Sequence, residues 1–349
     1  MSKKIPHSRP TLGSNEAGAV YALIKSGNLA QGEKVREFEK QFARFQKTKW
    51  SAATSSGTAA LHLALRALKI KNNDEVIIPS YVCTALLNAV HYVGARAKIV
   101  DVDDDDFNIS VRGVKKNISR RTKAIIVPHI FGQPADLSPL MALGIPLIED
   151  CAHSLGATYQ RRQAGSFGAL SIYSFYATKM MTTGEGGMVT SNHQRLINQI
   201  KDWRDYDHKP SYQVRFNYKM TDLQAAMGIV QLSRLPSWIK RRKEIAARYQ
   251  KNLRQCDFDL PVRKSDRSHV FYRFVIKVKK NKAQLMKALK RKGIDCAEPI
   301  YKPLHQYLNL KGYPVTDRLV QEAVSIPIYP SLIDRQCAYI IKCIKMVSE

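Results

Sequence analysis

Residues 169–190 read ALSIYSFYATKMMTTGEGGMVT, and this stretch decides how the rest of the chain is read. A strand-like apolar run, Ala169 to Phe175, leads into a turn-rich segment that carries one lysine, Lys179. Gly184, Gly186 and Gly187 follow, and then a short apolar run, Met188 to Thr190. A lysine on a loop leaving a buried strand holds its ammonium near a low-dielectric site, where it can act as an amine nucleophile and form a Schiff base. Taken alone, any one of the 56 lysines and arginines is most simply a solvated surface charge.

The segment upstream lifts Lys179 above that background. Ile145 to His153 reads IPLIEDCAH, an apolar run ending in Glu149 and Asp150. This is the pattern of a buried parallel strand with its carboxyl end at the acid pair, and open α/β sheets bind ligands at such ends. Asp150 there is either a helix N-cap or the partner of a protonated heteroaromatic nitrogen. Pyridoxal 5'-phosphate needs that partner, because the protonated ring is its electron sink. Asp150 and Lys179 together are the pair such a cofactor requires.

The two motifs, EDCAHSLGA and SFYATKMMTTGEGG, resemble the DegT/DnrJ/EryC1/StrS family of sugar aminotransferases, pyridoxal-phosphate enzymes of fold type I. The resemblance spans nearly the whole chain, with further motifs in the family's order. TSSGTAAL at 54–61 is similar to the family's phosphate-holding turn, which makes Gly57, Thr58 and Ala59 phosphate candidates. By its residues alone this turn is a helix N-terminus with free N–H groups, or an ordinary Ser/Thr cap. The resemblance implies that His153 sits beside the cofactor's phenolic oxygen and that Ser174 binds its phosphate. Asn217, in a segment similar to the family's N-Y-R-M motif with Lys219 in place of the arginine, is implied to reach the neighbouring subunit's phosphate site. A homodimer with shared active sites follows from that. His305, in the P-L-H segment, is implied to line the substrate side. The aromatic residue that stacks on the cofactor ring in the family aligns with Cys83, and Tyr81 is the nearest aromatic.

The pattern along the chain supports an α/β fold. Seven strand-like runs (50–57, 75–79, 97–102, 123–129, one ending at 150, 169–175 and 188–190) mostly alternate with helical spacing. That is the signature of a mostly parallel sheet covered on both faces, here a large domain of the aspartate-aminotransferase-like type. Val35, Phe38, Phe42 and Phe45 recur at helical spacing, on what would otherwise be a plain surface helix. Pro236 interrupts a long helical stretch, and we place the boundary there: residues 1–235 form the large cofactor-binding domain and 236–349 a small α+β domain. Beyond the end of the long helix near Leu253, a strand over 269–278, a helix over 282–292 and a final helix over 334–347 are expected.

Composition excludes several classes. No apolar run approaches the roughly 20 residues a membrane span needs, and MSKKIPHSRP lacks a signal h-region. Six scattered cysteines without a CxxC pair argue against a zinc site and for reduced thiols. A cytoplasmic enzyme is expected. The net charge of +27 raises the question of a polyanionic partner. The basic residues are spread along the chain and no nucleic-acid motif accompanies them, so nucleic acid is disfavoured. The run DVDDDD at 101–106 reads as a solvated turn, since it lacks the alternating ligands of a calcium loop. The resulting expectation is transfer of an amino group, with glutamate as donor, to a nucleotide-linked keto sugar. An aminocyclitol substrate on the same scaffold is the alternative.

Overall fold

Six parallel strands and one reversed strand make the sheet on which the site is built. The computed structural model describes residues 4–348, so the reading of the N-terminus rests partly on Met1–Lys3, outside the described residues. The strands are β1 (Trp50–Thr54), β2 (Glu75–Pro79), β3 (Arg96–Val100), β4 (Thr122–Pro128), β5 (Leu147–Asp150), a small hairpin of β6 (Thr158–Tyr159) and β7 (Arg162–Gln163), then β8 (Leu170–Ser174) and β9 (Gly187–Ser191). The large sheet has the order β1-β9-β8-β5-β4-β2-β3. Among the described strands of this sheet, β9 runs opposite to the other six. All seven runs expected from sequence are strands of this one sheet, and the carboxyl ends of the other six lie along one edge.

The near-continuous apolar character of β2, β4 and β5 follows from burial on both faces. The cover consists of α1 (Ser14–Ser26), α2 (Glu33–Gln46), α3 (Gly57–Ala67), α4 (Ala85–Tyr92), α5 (Val111–Asn117), α6 (Leu137–Met141), α7 (Gln194–Trp203) and α8 (Asp222–Asn252). The helix α2 is no surface helix. Phe38 and Phe42 are fully buried and pack on Phe175, with ring centroids 5.4 and 5.5 Å away, so α2 forms the floor under the lysine loop. Glu39 accepts from the Ala53 N–H at 2.9 Å and pairs with Lys201 and Arg204, tying α2 to β1 and α7. Asp222 at the start of α8 caps the neighbouring helix, accepting from the N–H groups of Gly32 (2.8 Å), Lys34 (3.1 Å) and Val35 (2.9 Å).

Beyond the sheet, β10 (Phe274–Lys277) pairs antiparallel with β11 (Ala323–Ile326). The helices α9 (Lys282–Arg291), α10 (Leu304–Tyr307), α11 (Pro314–Glu322) and α12 (Asp334–Ser348) complete the chain. A second core gathers Tyr249 and Leu253 of α8 with Phe274, Ile276, Leu289, Val324 and Ile340. Two expectations change here. Pro236 lies inside a single helix of 31 residues: it removes one backbone donor, yet α8 continues through it, held by the buried Leu235 and Trp238 on either side. The strand expected over 269–278 is regular only from Phe274, because Phe271 has a left-handed φ of 53° and the preceding residues turn inward.

The acid run is a seam rather than a solvated turn. Asp101 accepts from the N–H groups of Val315 and Thr316 at 3.0 and 2.9 Å, Asp104 pairs with Lys277 and Arg318, and Asp106 with Lys264. The excess of cations on the C-terminal segment gives these aspartates partners that sequence spacing alone did not reveal. Among the described residues no helix is long and apolar enough to cross a membrane.

Candidate active site

The register of β9 draws three segments together. Gly187 is paired with Thr54 on one side and with Ser174 on the other. The turn after β1 and the loop after β8 therefore meet across the first residue of β9. Contact is close enough to demand glycine. A Cβ on Gly57 would lie 2.9 Å from the Cβ of Ser174, and one on Gly187 would collide with the Ser56 carbonyl.

Gly57 opens α3, whose N-cap is Ser56. The Ser56 hydroxyl accepts from the Ala59 N–H at 3.1 Å, so that donor is committed to the cap. Among the described residues no partner exists for the N–H groups of Gly57 and Thr58. Two free amides and the Ser174 hydroxyl beside them form a cradle for an anion at the positive end of a helix.

Lys179 is half-buried in a loop closed on itself, with Phe175 bonded to both Gly186 and Thr183 through its backbone. Gln231 of α8 accepts from Thr182 N–H at 3.1 Å, and Gln224 donates to the Glu185 carbonyl at 2.8 Å, so the loop is held from the side. The lysine amine stands 5.2 Å from the ring centre of Tyr272. That ring stacks on His153, with centroids 4.3 Å apart.

Asp150 ends β5 and is buried. Its Oδ1 accepts from Ala152 N–H at 3.0 Å, while among the described residues its Oδ2 has no hydrogen bond. Burial raises its pKa above the usual carboxylate range, against the pull of the Ala152 N–H and of Lys179. Among the described residues no cation forms an ion pair with Asp150, and a protonated ring nitrogen would be such a partner. The donor set thus fits pyridoxal phosphate at both ends, nitrogen and phosphate. The His153 pKa falls well below its ordinary value, first through burial and then through Lys179 and Arg273, so the imidazole is neutral at physiological pH.

Glu149 next door points the other way. It accepts from the N–H groups of Gly165, Phe167 and Gly168, each at 2.7 Å, and from His129 Nε2 at 3.1 Å. His129 Nδ1 accepts from Ala135 N–H, which puts the ring proton on Nε2. His129, Glu149 and Cys151 have ligand atoms within 4.8 Å of one another, but this bonding already uses the histidine and the glutamate.

Other candidates lie elsewhere. Asn217 is exposed, between Phe216 and Tyr218, whose rings stack 4.9 Å apart. His305 is buried, and both ring nitrogens are occupied, by Ser80 Oγ at 2.6 Å and by Asp317 at 2.9 Å. It clasps the loop after β2 to α11 and has no free nitrogen for a ligand. Tyr81 is buried against Phe107 and Phe131, while Cys83 is exposed. Sequence reasoning missed Tyr272 and Arg273, which it read as part of a plain strand. Their only signal was the aromatic cluster in HVFYRF, ordinary for a strand.

The profile of the DegT/DnrJ/EryC1/StrS aminotransferase family matches residues 10–345. The chain belongs to this family. It is a pyridoxal-phosphate-dependent aminotransferase of the sugar-modifying type. The chain is 33% identical to the spore coat polysaccharide biosynthesis protein SpsC of Bacillus subtilis, over 98% of this chain and 96% of that protein. It is 32% identical to the GDP-perosamine synthase of Escherichia coli O157:H7, over 98% of both. Among solved structures it is similar to Spr1654 from Streptococcus pneumoniae in its PLP-form, with a TM-score of 0.93 at 27% identity over 99% of this chain and 98% of that one. The same protein has been solved in a PMP-form, at a TM-score of 0.92. Family members of this kind share the fold type I sheet described above.

Proposed function

We propose that this aminotransferase aminates a keto sugar carried on a nucleotide, with glutamate as amino donor. The observation that carries the reading is that Asp150 ends β5 and Lys179 follows the neighbouring strand β8, close enough for its ammonium to act on the carboxylate, in a chain whose relatives include a GDP-perosamine synthase.

Pyridoxal phosphate, when bound, supplies an electron sink for the donor's α-carbon. Asp150 Oδ2 would hold the proton on the ring nitrogen. His153 would support the phenolic oxygen, and the N–H groups of Gly57 and Thr58 with the Ser174 hydroxyl would hold the phosphate. Ala59 contributes through the helix end that its capped N–H helps to order. The Lys179 amine removes the proton from the donor's α-carbon. In the second half it returns a proton to the sugar carbon that has gained the nitrogen. One amine serving both halves calls for ping-pong kinetics.

The enzyme is further proposed to act as a homodimer in which Asn217 completes the phosphate cradle of the partner. The stacked rings on either side turn Asn217 away from its own core, and Tyr21, Ile24, Tyr212 and Val214 offer exposed apolar surface for an interface. His305 enters the reading as a residue that shapes the pocket by holding Ser80, not as a ligand.

The test is an absorbance titration of the protein with pyridoxal phosphate, then glutamate, then nucleotide keto sugars, alongside Lys179→Ala. A visible cofactor band that bleaches with glutamate, returns with one class of nucleotide keto sugar and is missing from the variant is the expected result. A band that responds to glutamate but to no nucleotide keto sugar refutes the acceptor. One that ignores glutamate but responds to another amino acid refutes the donor.

A further inference from the structure

The wall of the site facing Lys179 carries a cation that the mechanism above does not use. Arg273 lies half-buried next to Tyr272, with its guanidinium carbon 5.0 Å from the ring centre and Nη2 3.5 Å from the phenol oxygen. Lys179 approaches the same ring at 5.2 Å. Among the described residues no carboxylate pairs with Arg273. Its other side-chain contact is His7, whose ring nitrogens lie 2.9 Å from Nη1. Burial and Arg273 hold the His7 pKa down at about 3, so the imidazole accepts a hydrogen bond and leaves the cation uncompensated. A third cation, Arg242, is buried behind them and donates to the carbonyls of Phe271, Tyr272 and Ile328, not to an acid.

Three cations thus surround one ring. Burial works to raise the pKa of the Tyr272 hydroxyl, but Lys179, Arg273, a hydrogen bond with the Thr178 side chain and Arg242 together leave it below the ordinary value. The placement is rigid. Arg273 follows a left-handed Phe271 (φ 53°) and donates its N–H to the carbonyl of Phe131, itself left-handed (φ 55°). Bulky residues adopt that conformation only where their surroundings enforce it, and such strain gathers at functional sites.

We infer that Arg273 is the carboxylate-binding residue of the site, taking a carboxylate of the amino-acid donor while the donor's nitrogen reacts beside Lys179. A planar guanidinium fork matches a carboxylate in a way an ammonium does not. The diphosphate of a nucleotide sugar is a poorer occupant, because a sugar ring separates it from the carbon that reacts next to the lysine. The inference rests on the proposal that an amino acid is the donor.

The experiment follows the cofactor's visible absorbance in the holoenzyme as glutamate, and separately alanine, is added to wild type, Arg273→Gln, Arg273→Lys and His7→Ala. Arg273→Gln keeps a planar hydrogen-bonding group without charge. It is expected to bind the cofactor as wild type does, and to need about ten- to hundredfold more glutamate for half-conversion, the size of one lost charge-assisted contact. Arg273→Lys is expected to fall between, and His7→Ala to stay within about threefold of wild type. Equal losses with glutamate and alanine assign the α-carboxylate, and a loss with glutamate alone assigns the side-chain carboxylate. Glutarate, which cannot react, should raise the melting temperature of the wild-type holoenzyme and not that of Arg273→Gln.

If Arg273→Gln responds to both amino acids at wild-type concentrations, the carboxylate assignment is wrong while the aminotransfer reading stands. A loss in His7→Ala as large as in Arg273→Gln also overturns it, since the arginine would then act only by anchoring the N-terminal segment. A wild-type cofactor band that no amino acid changes removes the donor reading beneath it.

Discussion

Glu149 and Asp150 are adjacent acids at the end of β5, and exchanging each for its amide separates stability from cofactor chemistry. Glu149 is fully buried and receives three backbone N–H groups and one imidazole N–H. In Glu149→Gln the amide oxygen can still serve Phe167 and Gly168, but the new NH2 faces the donors of Gly165 and His129. Two buried donors lose their acceptor along with the charge, which costs about 3–5 kcal/mol. At about 2 °C per kcal/mol for a chain of this size, the apoprotein melts roughly 6–10 °C lower.

The pH dependence follows from the same contacts. Burial opposes the Glu149 carboxylate, but His129 and the backbone donors outweigh it and hold the pKa below its ordinary value of 4.5. A depressed acid contributes stability above its unfolded pKa and loses it as pH falls through the lower folded value. The variant should therefore show a shallower acid limb below about pH 4.5. Asp150→Asn has the opposite character. The raised pKa of Asp150 means that its charge opposes folding at neutral pH when the pyridinium is absent. The apoprotein should melt no lower than wild type, while the visible cofactor band and the stabilisation that the cofactor brings are lost. Differential scanning calorimetry of apo and holo forms from pH 3.5 to 8 measures both. The reasoning fails if Glu149→Gln melts within 1 °C of wild type, or if apo Asp150→Asn is destabilised as much as Glu149→Gln.

Asp222→Ala strips the cap from α2 and should lower stability by about 2–4 kcal/mol, read by urea unfolding; a change under about 0.5 kcal/mol would mean water replaces the cap without penalty. Burial, aided by Arg66, lowers the His62 pKa to about 4. A histidine with a depressed pKa is neutral in the fold and loses stability as pH falls below its unfolded value of about 6.5. His62→Phe, in a pocket already lined by Tyr92 and Phe216, should flatten the stability profile between about pH 6.5 and 4; an unchanged slope refutes the assignment. Mixing inactive Lys179→Ala with inactive Asn217→Ala should restore activity, since a mixed dimer has one intact site. No recovery after subunit exchange, shown independently, would place Asn217 in its own subunit's site. Bound cofactor should slow alkylation of the exposed Cys83, measured by peptide mass analysis; equal labelling with and without it places Cys83 outside the ring's contact.

The sheet was legible because burial on both faces writes strands as continuous apolar runs. The reactive loop was legible because Lys179, Asp150 and the turn at Gly57 carry chemistry that ordinary packing does not demand. What stayed hidden depended on partners distant in sequence. The aspartates of 101–106 look solvated until Lys264, Lys277 and Arg318 arrive from the C-terminal segment. His305 looks like a ligand-facing residue until Ser80 and Asp317 occupy both of its nitrogens. Arg273 looks like one residue of a strand, because a left-handed phenylalanine two residues earlier leaves no signature in sequence.

The single reversed strand also has a temporal consequence. During synthesis β1 emerges early, yet among the described residues its one neighbour in the sheet is β9, which begins 133 residues after Thr54 at Gly187. Until then an apolar strand has no partner and the turn at Gly57 has nothing to close against. The wall formed by Tyr272 and Arg273 comes some 80 residues later still. A nascent chain therefore cannot capture its cofactor piecemeal. The long wait leaves β1 exposed to wrong pairing, and makes its edge the place where a holding chaperone would gain most by binding.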